Sequence, residues 1–269
     1  MAARRRFSAF SAALLLLGLA VSVSGQRPER GDEIPPEDKR SGYHFISRET
    51  QAMQDDDLAN PGSLWVLEGE ELWRKGAGAA GKSCADCHRE AATSMKGVAA
   101  RSPAFATRAG RVINLEQRIN YCRVDHQQAA PFAYESRELL ALTAYVGHQS
   151  RGMPMRVAID GPARPFFEAG RTVFLTRSGQ FNLSCAQCHE DHWNQQLRGL
   201  PISQGHGNAY PAYRLEWQTL GSLQRRLRNC NTAVRAEPYP YGAQEYVNLE
   251  LFLAWRARGL PVETPGVRR

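Results

Sequence analysis

A mainly α fold built from two tandem copies of one small unit is what this 269-residue sequence predicts. Three observations carry that expectation. The pentapeptide Cys84-Ala85-Asp86-Cys87-His88 recurs as Cys185-Ala186-Gln187-Cys188-His189. The segments flanking each copy also repeat, in the same order. Their apolar residues recur at helical spacing, and strand signals are weak throughout.

Cys-x-x-Cys-His is the attachment signature of a c-type haem, in which two neighbouring thiols bond the porphyrin and the adjacent histidine reaches its iron from one face. A two-cysteine zinc half-site would need further paired ligands at knuckle spacing, and none appears. The sequence therefore predicts two covalently bound haem c groups, one on Cys84 and Cys87 with His88, the other on Cys185 and Cys188 with His189. A single spare cysteine follows each motif, Cys122 and Cys230. Electron carriers ordinarily place methionine on the other face of the iron. Met155 is the last methionine in the chain and Lys96 the last lysine, which leaves His192, His206, Cys230 or an open position for the second haem.

In chain order, Arg4, Arg5 and Arg6 precede the apolar run Ala12 to Val23 and the small residues Ser22, Ser24 and Gly25. Residues 1–25 read as a secretory signal peptide, too short for a membrane span, so the mature protein is expected in the periplasm. The leader's three arginines account for part of the formal +7, leaving +4. That mild charge, with no long basic tract, does not point to nucleic acid. Residues 26–65 form an amino-terminal extension, loose and proline-bearing to residue 46. A short helix capped by Ser47 then runs to Leu58, with Ala52, Met53 and Leu58 as its apolar points. Asp55, Asp56 and Asp57 lack the alternating ligands and glycine of a calcium loop and read as a solvated helix end.

The two repeats are expected at 66–155 and 166–269, joined by a Pro/Gly-rich linker at 156–165. Gly69 and Gly170 stand equally far before Cys84 and Cys185, followed by Leu72-Trp73 and Val173-Phe174. Leu115, Arg118, Ile119 and Cys122 match Leu223, Arg226, Leu227 and Cys230. Leu139, Leu142, Ala144 and Tyr145 answer Leu249, Phe252, Ala254 and Trp255, and the copies close on Arg151-Gly-Met-Pro154 and Arg258-Gly-Leu-Pro261. A leading helix, a haem turn and a closing helix across the first make the order of a class I cytochrome c-like domain.

Because Cys122 and Cys230 occupy the same place in each repeat, iron ligation explains the duplication more simply than a Cys122–Cys230 disulfide or free thiols. Arg118 and Arg226 lie four residues earlier, on the same face of a helix, where a guanidinium favours thiolate. The second copy is the more basic: Arg214, Arg225, Arg226, Arg228 and Arg235 oppose Glu216 alone between residues 214 and 235, which suits an anionic substrate. His44, His126 and His148 have no motif around them and read as structural.

Several stretches resemble the SoxA family, the dihaem subunits of the SoxAX cytochromes of bacterial sulfur oxidation. They include Gly205-His206-Gly207-Asn208, Pro211 to Gln218, Leu220 to Leu223, Val234 to Tyr239, Leu251 to Arg256, and the tail Pro265 to Arg269. Ser41-Gly42-Tyr43, Asn60-Pro61-Gly62 and Leu64-Trp65-Val66 agree. The resemblance implies an L-cysteine S-thiosulfotransferase that pairs with the monohaem cytochrome SoxX. Such an enzyme couples thiosulfate oxidatively to a cysteine of the carrier SoxYZ and passes two electrons to a downstream cytochrome c. It further implies that Cys230 is both axial ligand and catalytic sulfur, that Arg226 binds the sulfonate end of thiosulfate, and that His88 with Cys122 and His189 with Cys230 are the axial pairs.

The rival readings are a thiosulfate dehydrogenase forming tetrathionate and a dihaem electron-transfer cytochrome without catalysis. The first ordinarily has a methionine on one haem, and none follows Met155. A dihaem peroxidase would rest on His192 or His206. His192 is too near His189 to reach the opposite face, and His206 is expected in a surface or interface loop.

Overall fold

A computed structural model describes residues 34–269; the expected signal peptide and the start of the extension lie outside the described residues. Among the described residues, ten α-helices and seven short strands follow one another. In the extension, α1 is Arg48–Asp55. The first repeat comprises α2 Ser63–Arg74, α3 Cys84–His88, α4 Ala91–Ser94, β1 Ala104–Ala106, β2 Arg111–Ile113, α5 Leu115–Asp125 and α6 Arg137–His148. The second comprises α7 Arg164–Leu175, α8 Cys185–His189, β3 Gln196–Leu197, β4 Leu200–Pro201, β5 Ala212–Arg214, β6 Thr219–Gly221, α9 Leu223–Ala233, α10 Gln244–Arg256 and β7 Gly266–Arg268. The fold is mainly α, as expected. The strands went unread because they are two or three residues long, below the length at which alternation registers.

Each repeat is built on one helix crossing. A Cβ at Gly69 of α2 would collide with the Ala141 carbonyl of α6, and one at Gly170 of α7 with the Asn248 carbonyl of α10. Only glycine lets the two backbones approach this closely. The crossing also corrects the register of the repeat by one helical turn. Ala141 is the counterpart of Asn248, so Leu142 answers Leu249 and Tyr145 answers Phe252, in step with the two Arg-Gly-x-Pro tails. Trp73, Leu142 and Tyr145 pack the first crossing; Phe167, Phe174, Leu249 and Phe252 pack the second.

The halves are joined by more than the linker. The two tails pair with each other: Gly152 N–H donates to the Val262 carbonyl at 2.9 Å, Val262 to Met153 at 2.8 Å, and Met155 to Leu260 at 2.9 Å. Trp65, Leu140 and Ala144 of the first half bury against Tyr213 and Leu220 of the second.

The extension is not loose where it is described. Ser41 is 2% exposed and donates to Glu263, and Arg40 N–H donates to Gln204 Oε1 at 2.7 Å. Ser47 caps α1 as expected, accepting from Thr50 N–H at 3.3 Å. The buried face of α1 is polar, however: Thr50 and Gln54 are buried while Ala52 and Leu58 are exposed. Gln54 Oε1 accepts from Val267 N–H at 3.0 Å, and Asn60 Nδ2 donates to the Pro265 carbonyl at 2.9 Å. These polar side chains satisfy the backbone of the carboxy-terminal tail, which an apolar face could not do.

Candidate functional site

The residues between the paired cysteines set the local geometry. In α3, Ser83 Oγ accepts from Asp86 N–H at 3.1 Å while Asp86 Oδ2 accepts from Ser83 N–H at 2.7 Å. Ser184 and Gln187 repeat the arrangement in α8 at 3.3 and 2.9 Å. This reciprocal cap fixes one turn of helix at each motif, bringing both thiols and the histidine to one side.

In the second repeat, His189 Nδ1 donates to the Ser203 carbonyl at 2.7 Å. That bond orients the imidazole and leaves Nε2 for the hydrogen bond with Cys230. Gly205, with a φ of 77°, lies against the imidazole, where a Cβ would stand 2.8 Å from Cγ of the ring. The facing element is α9, capped by Ser222, whose Oγ accepts from Arg225 N–H at 3.1 Å. Arg226 and Cys230 follow one turn apart, as the spacing predicted. Burial pushes the Cys230 thiol up, but the Arg226 guanidinium, a hydrogen bond with His189, and the charges of His189 and Arg214 outweigh it and bring it down to about 7. Cys185 and Cys188 both feel the charge of Cys230, and burial above all holds Cys185 up at about 12. Two attachment thiols, an oriented imidazole and an opposed thiol thus converge.

The first repeat assembles the same residue types with a different electrostatic outcome. Burial pushes Cys122 up, with Arg118 opposing and Cys87 adding to the rise. Burial and then the Cys122 charge raise Cys84 to about 11. Trp73 lies beside His88, ring centroids 5.8 Å apart, and its Nε1 donates to the Arg89 carbonyl at 2.9 Å. An arginine four residues before the cysteine is therefore not sufficient to draw it down. The second site adds His189 and Arg214.

No disulfide joins Cys122 to Cys230. Among the described residues, no three His, Cys, Asp or Glu gather to hold a bare metal ion. Thiol pairs capped into a single turn, each with an adjacent imidazole, instead fit haem c. His192 is exposed, and His206 corrects the expectation of a surface loop. It is buried, with Nε2 donating to Gln204 Oε1 at 3.2 Å. Burial, then the charges of Arg256, Lys39 and His189, push it down to about 3, so it is neutral and packs beneath the site.

A family model described as the SoxA/TsdA cytochrome c domain matches residues 68–155 and again 169–262. The chain is 41% identical over 236 residues to the "L-cysteine S-thiosulfotransferase subunit SoxA" of Pseudaminobacter salicylatoxidans, covering 87% of this chain and 82% of that protein. The chain belongs to the SoxA family. Its SoxA relative in Paracoccus pantotrophus is 36% identical, over 85% of this chain and 78% of the relative. The solved structure titled "Crystal structure of SoxXA from P. pantotrophus" superimposes with a TM-score of 0.82 at 35% identity, covering 85% of this chain and 86% of that one.

Sequence reasoning missed several residues of this SoxA site. Arg214, in sequence one member of a basic stretch, reaches the site from β5, where Glu216 holds it at 3.1 Å and Trp217 lies 4.9 Å beneath its guanidinium. Ser203 acts through its carbonyl, which carries no side-chain signal. Arg256, one residue beyond the aromatic Trp255, is buried in an ion pair with Glu190 and lies 4.6 Å over the Phe174 ring. The acid beside His189 was the available signal for that pair.

Proposed function

We propose that this SoxA subunit joins thiosulfate to a cysteine of the SoxYZ carrier, acting in the periplasm after export by residues 1–25 and in partnership with SoxX. A carrier thiol and thiosulfate become a cysteine S-thiosulfonate, one S–S bond forms, and one proton and two electrons leave. Cys84 and Cys87 with His88 and Cys122 would hold one haem c; Cys185 and Cys188 with His189 and Cys230 would hold the second. Haem c, when bound, supplies one-electron redox chemistry.

The protein's own residues do the rest. Arg226 offers a planar fork to the sulfonate oxygens. Cys230 presents its sulfur as thiolate, and the arginine-rich face of α9 draws in the dianion. No described helix is long and apolar enough to cross a membrane. The observation that carries the reading is the convergence of Cys185, Cys188, His189 and Cys230, with Arg226 one turn before Cys230 on α9. Conjugation of thiosulfate to SoxYZ by the haem-loaded SoxAX complex tests it. Cys230→Ala should lose conjugation while keeping both haems attached, and full activity in that variant would remove the assigned role.

A further inference from the structure

A half-open cavity of about 80 Å³ lies between the two repeats, and none of the motif cysteines or histidines lines it. Glu116 of α5 and Glu250 of α10 line it from opposite halves, 9% and 7% exposed. Glu116 follows Leu115 as Gln224 follows Leu223, and in the corrected register of the closing helices Glu250 is the counterpart of Thr143. Each acid thus replaces a neutral residue of the other repeat, and both acids reach the same space.

The cavity wall holds no lysine, arginine or histidine. Thr143 Oγ1 and Asn208 Oδ1, on side chains 2% and 3% exposed, also line it and have no hydrogen-bond partner. Asn208 is oriented by its other end, since Nδ2 donates to the Pro261 carbonyl at 2.8 Å. Asn114 Nδ2 reaches Glu250 Oε1 at 3.4 Å, but a neutral donor cancels no charge. Nearby cations are engaged elsewhere: Arg225 lies 3.9 Å from Glu135, and Arg111 donates to Gln244 at 2.7 Å.

We propose that this cavity binds one hard divalent cation, of the calcium or magnesium class, through Glu116, Glu250, Thr143 Oγ1 and Asn208 Oδ1. Oxygen-only donors with two carboxylates suit such an ion, and the space admits waters to complete its shell. The ion would neutralise two charges that burial makes costly. Drawing ligands from both repeats, it would also clamp them together at a place where neither could bind it alone.

The test uses the haem-loaded protein stripped with a chelator, titrated calorimetrically with calcium chloride and with magnesium chloride, and melted with and without each. One ion per chain and a higher melting temperature are expected with at least one salt. Glu116→Gln and Glu250→Gln should each weaken binding at least about tenfold, in the range seen when support of a metal site is removed. Asn208→Ala, which leaves both acids in place, should weaken it too and serves if a glutamate variant fails to take up haem. Absence of heat and of any melting shift with millimolar amounts of either salt would overturn the proposal and leave the two acids sharing a proton. Undiminished binding in all three variants would overturn it equally.

Discussion

Arg226 faces Cys230 across one turn of α9, and each stabilises the charged form of the other: the guanidinium opposes the effect of burial on the thiol, and the thiol's charge is the largest influence raising Arg226. Arg226→Ala should leave the haems attached and lower kcat/KM for thiosulfate by about 10- to 100-fold, the worth of one charge-assisted contact. Steady-state kinetics at two ionic strengths check this. The loss should shrink at high salt only for the part of the effect due to steering.

The pairing of Glu190 with Arg256 lies in the core beneath the second motif, its side chains 11% and 1% exposed. Removing one partner leaves the other charge buried. Glu190→Ala should destabilise the protein by about 3 kcal/mol or more in urea unfolding, whereas an exposed pair such as Arg164 with Glu168 should matter by under about 1 kcal/mol.

Gly205 sits against the His189 ring with a φ of 77°. Gly205→Ala should tilt that imidazole and alter the low-spin resonance of the second haem while leaving the first unchanged. Gly170→Ala acts on packing instead, forcing α7 away from Asn248 at a cost of about 1–3 kcal/mol.

Glu116 and Glu250 are both held above the ordinary 4.5, by burial first and then by neighbouring acids, Glu135 for one and Glu116 for the other. The folded chain therefore retains protons that the unfolded chain gives up. With divalent ions removed, their contribution to stability is whole below about 4.5 and is lost as pH rises through neutrality. Urea midpoints measured from about pH 5 to about pH 8 should fall, and Glu250→Gln should flatten that slope.

The haem motifs, both spare cysteines and the mainly α class were legible because each is a short-range pattern: covalent attachment needs fixed spacing, and a helix face repeats within a few residues. The seam between the repeats was not. Gly152 pairing with Val262, or Gln54 serving Val267, joins residues far apart in sequence through backbone atoms that have no side-chain signature. The closing helices were misaligned by a turn for a related reason. Leucine-rich helices match themselves at several registers, and the glycine crossings at Gly69 and Gly170 select the one that also aligns the two Arg-Gly-x-Pro tails. His206 is expected in a surface or interface loop, but its flanking glycines allow close approach to His189 and Leu223, and the histidine is buried.

The most direct test of the account is low-temperature electron paramagnetic resonance of the oxidised, haem-loaded protein, wild type beside Cys230→Met. Low-spin thiolate signals from both haems, with the second lost in the variant, are the predicted result. Signals of histidine or methionine ligation alone, unchanged by the substitution, would contradict it and return Cys230 to a structural role.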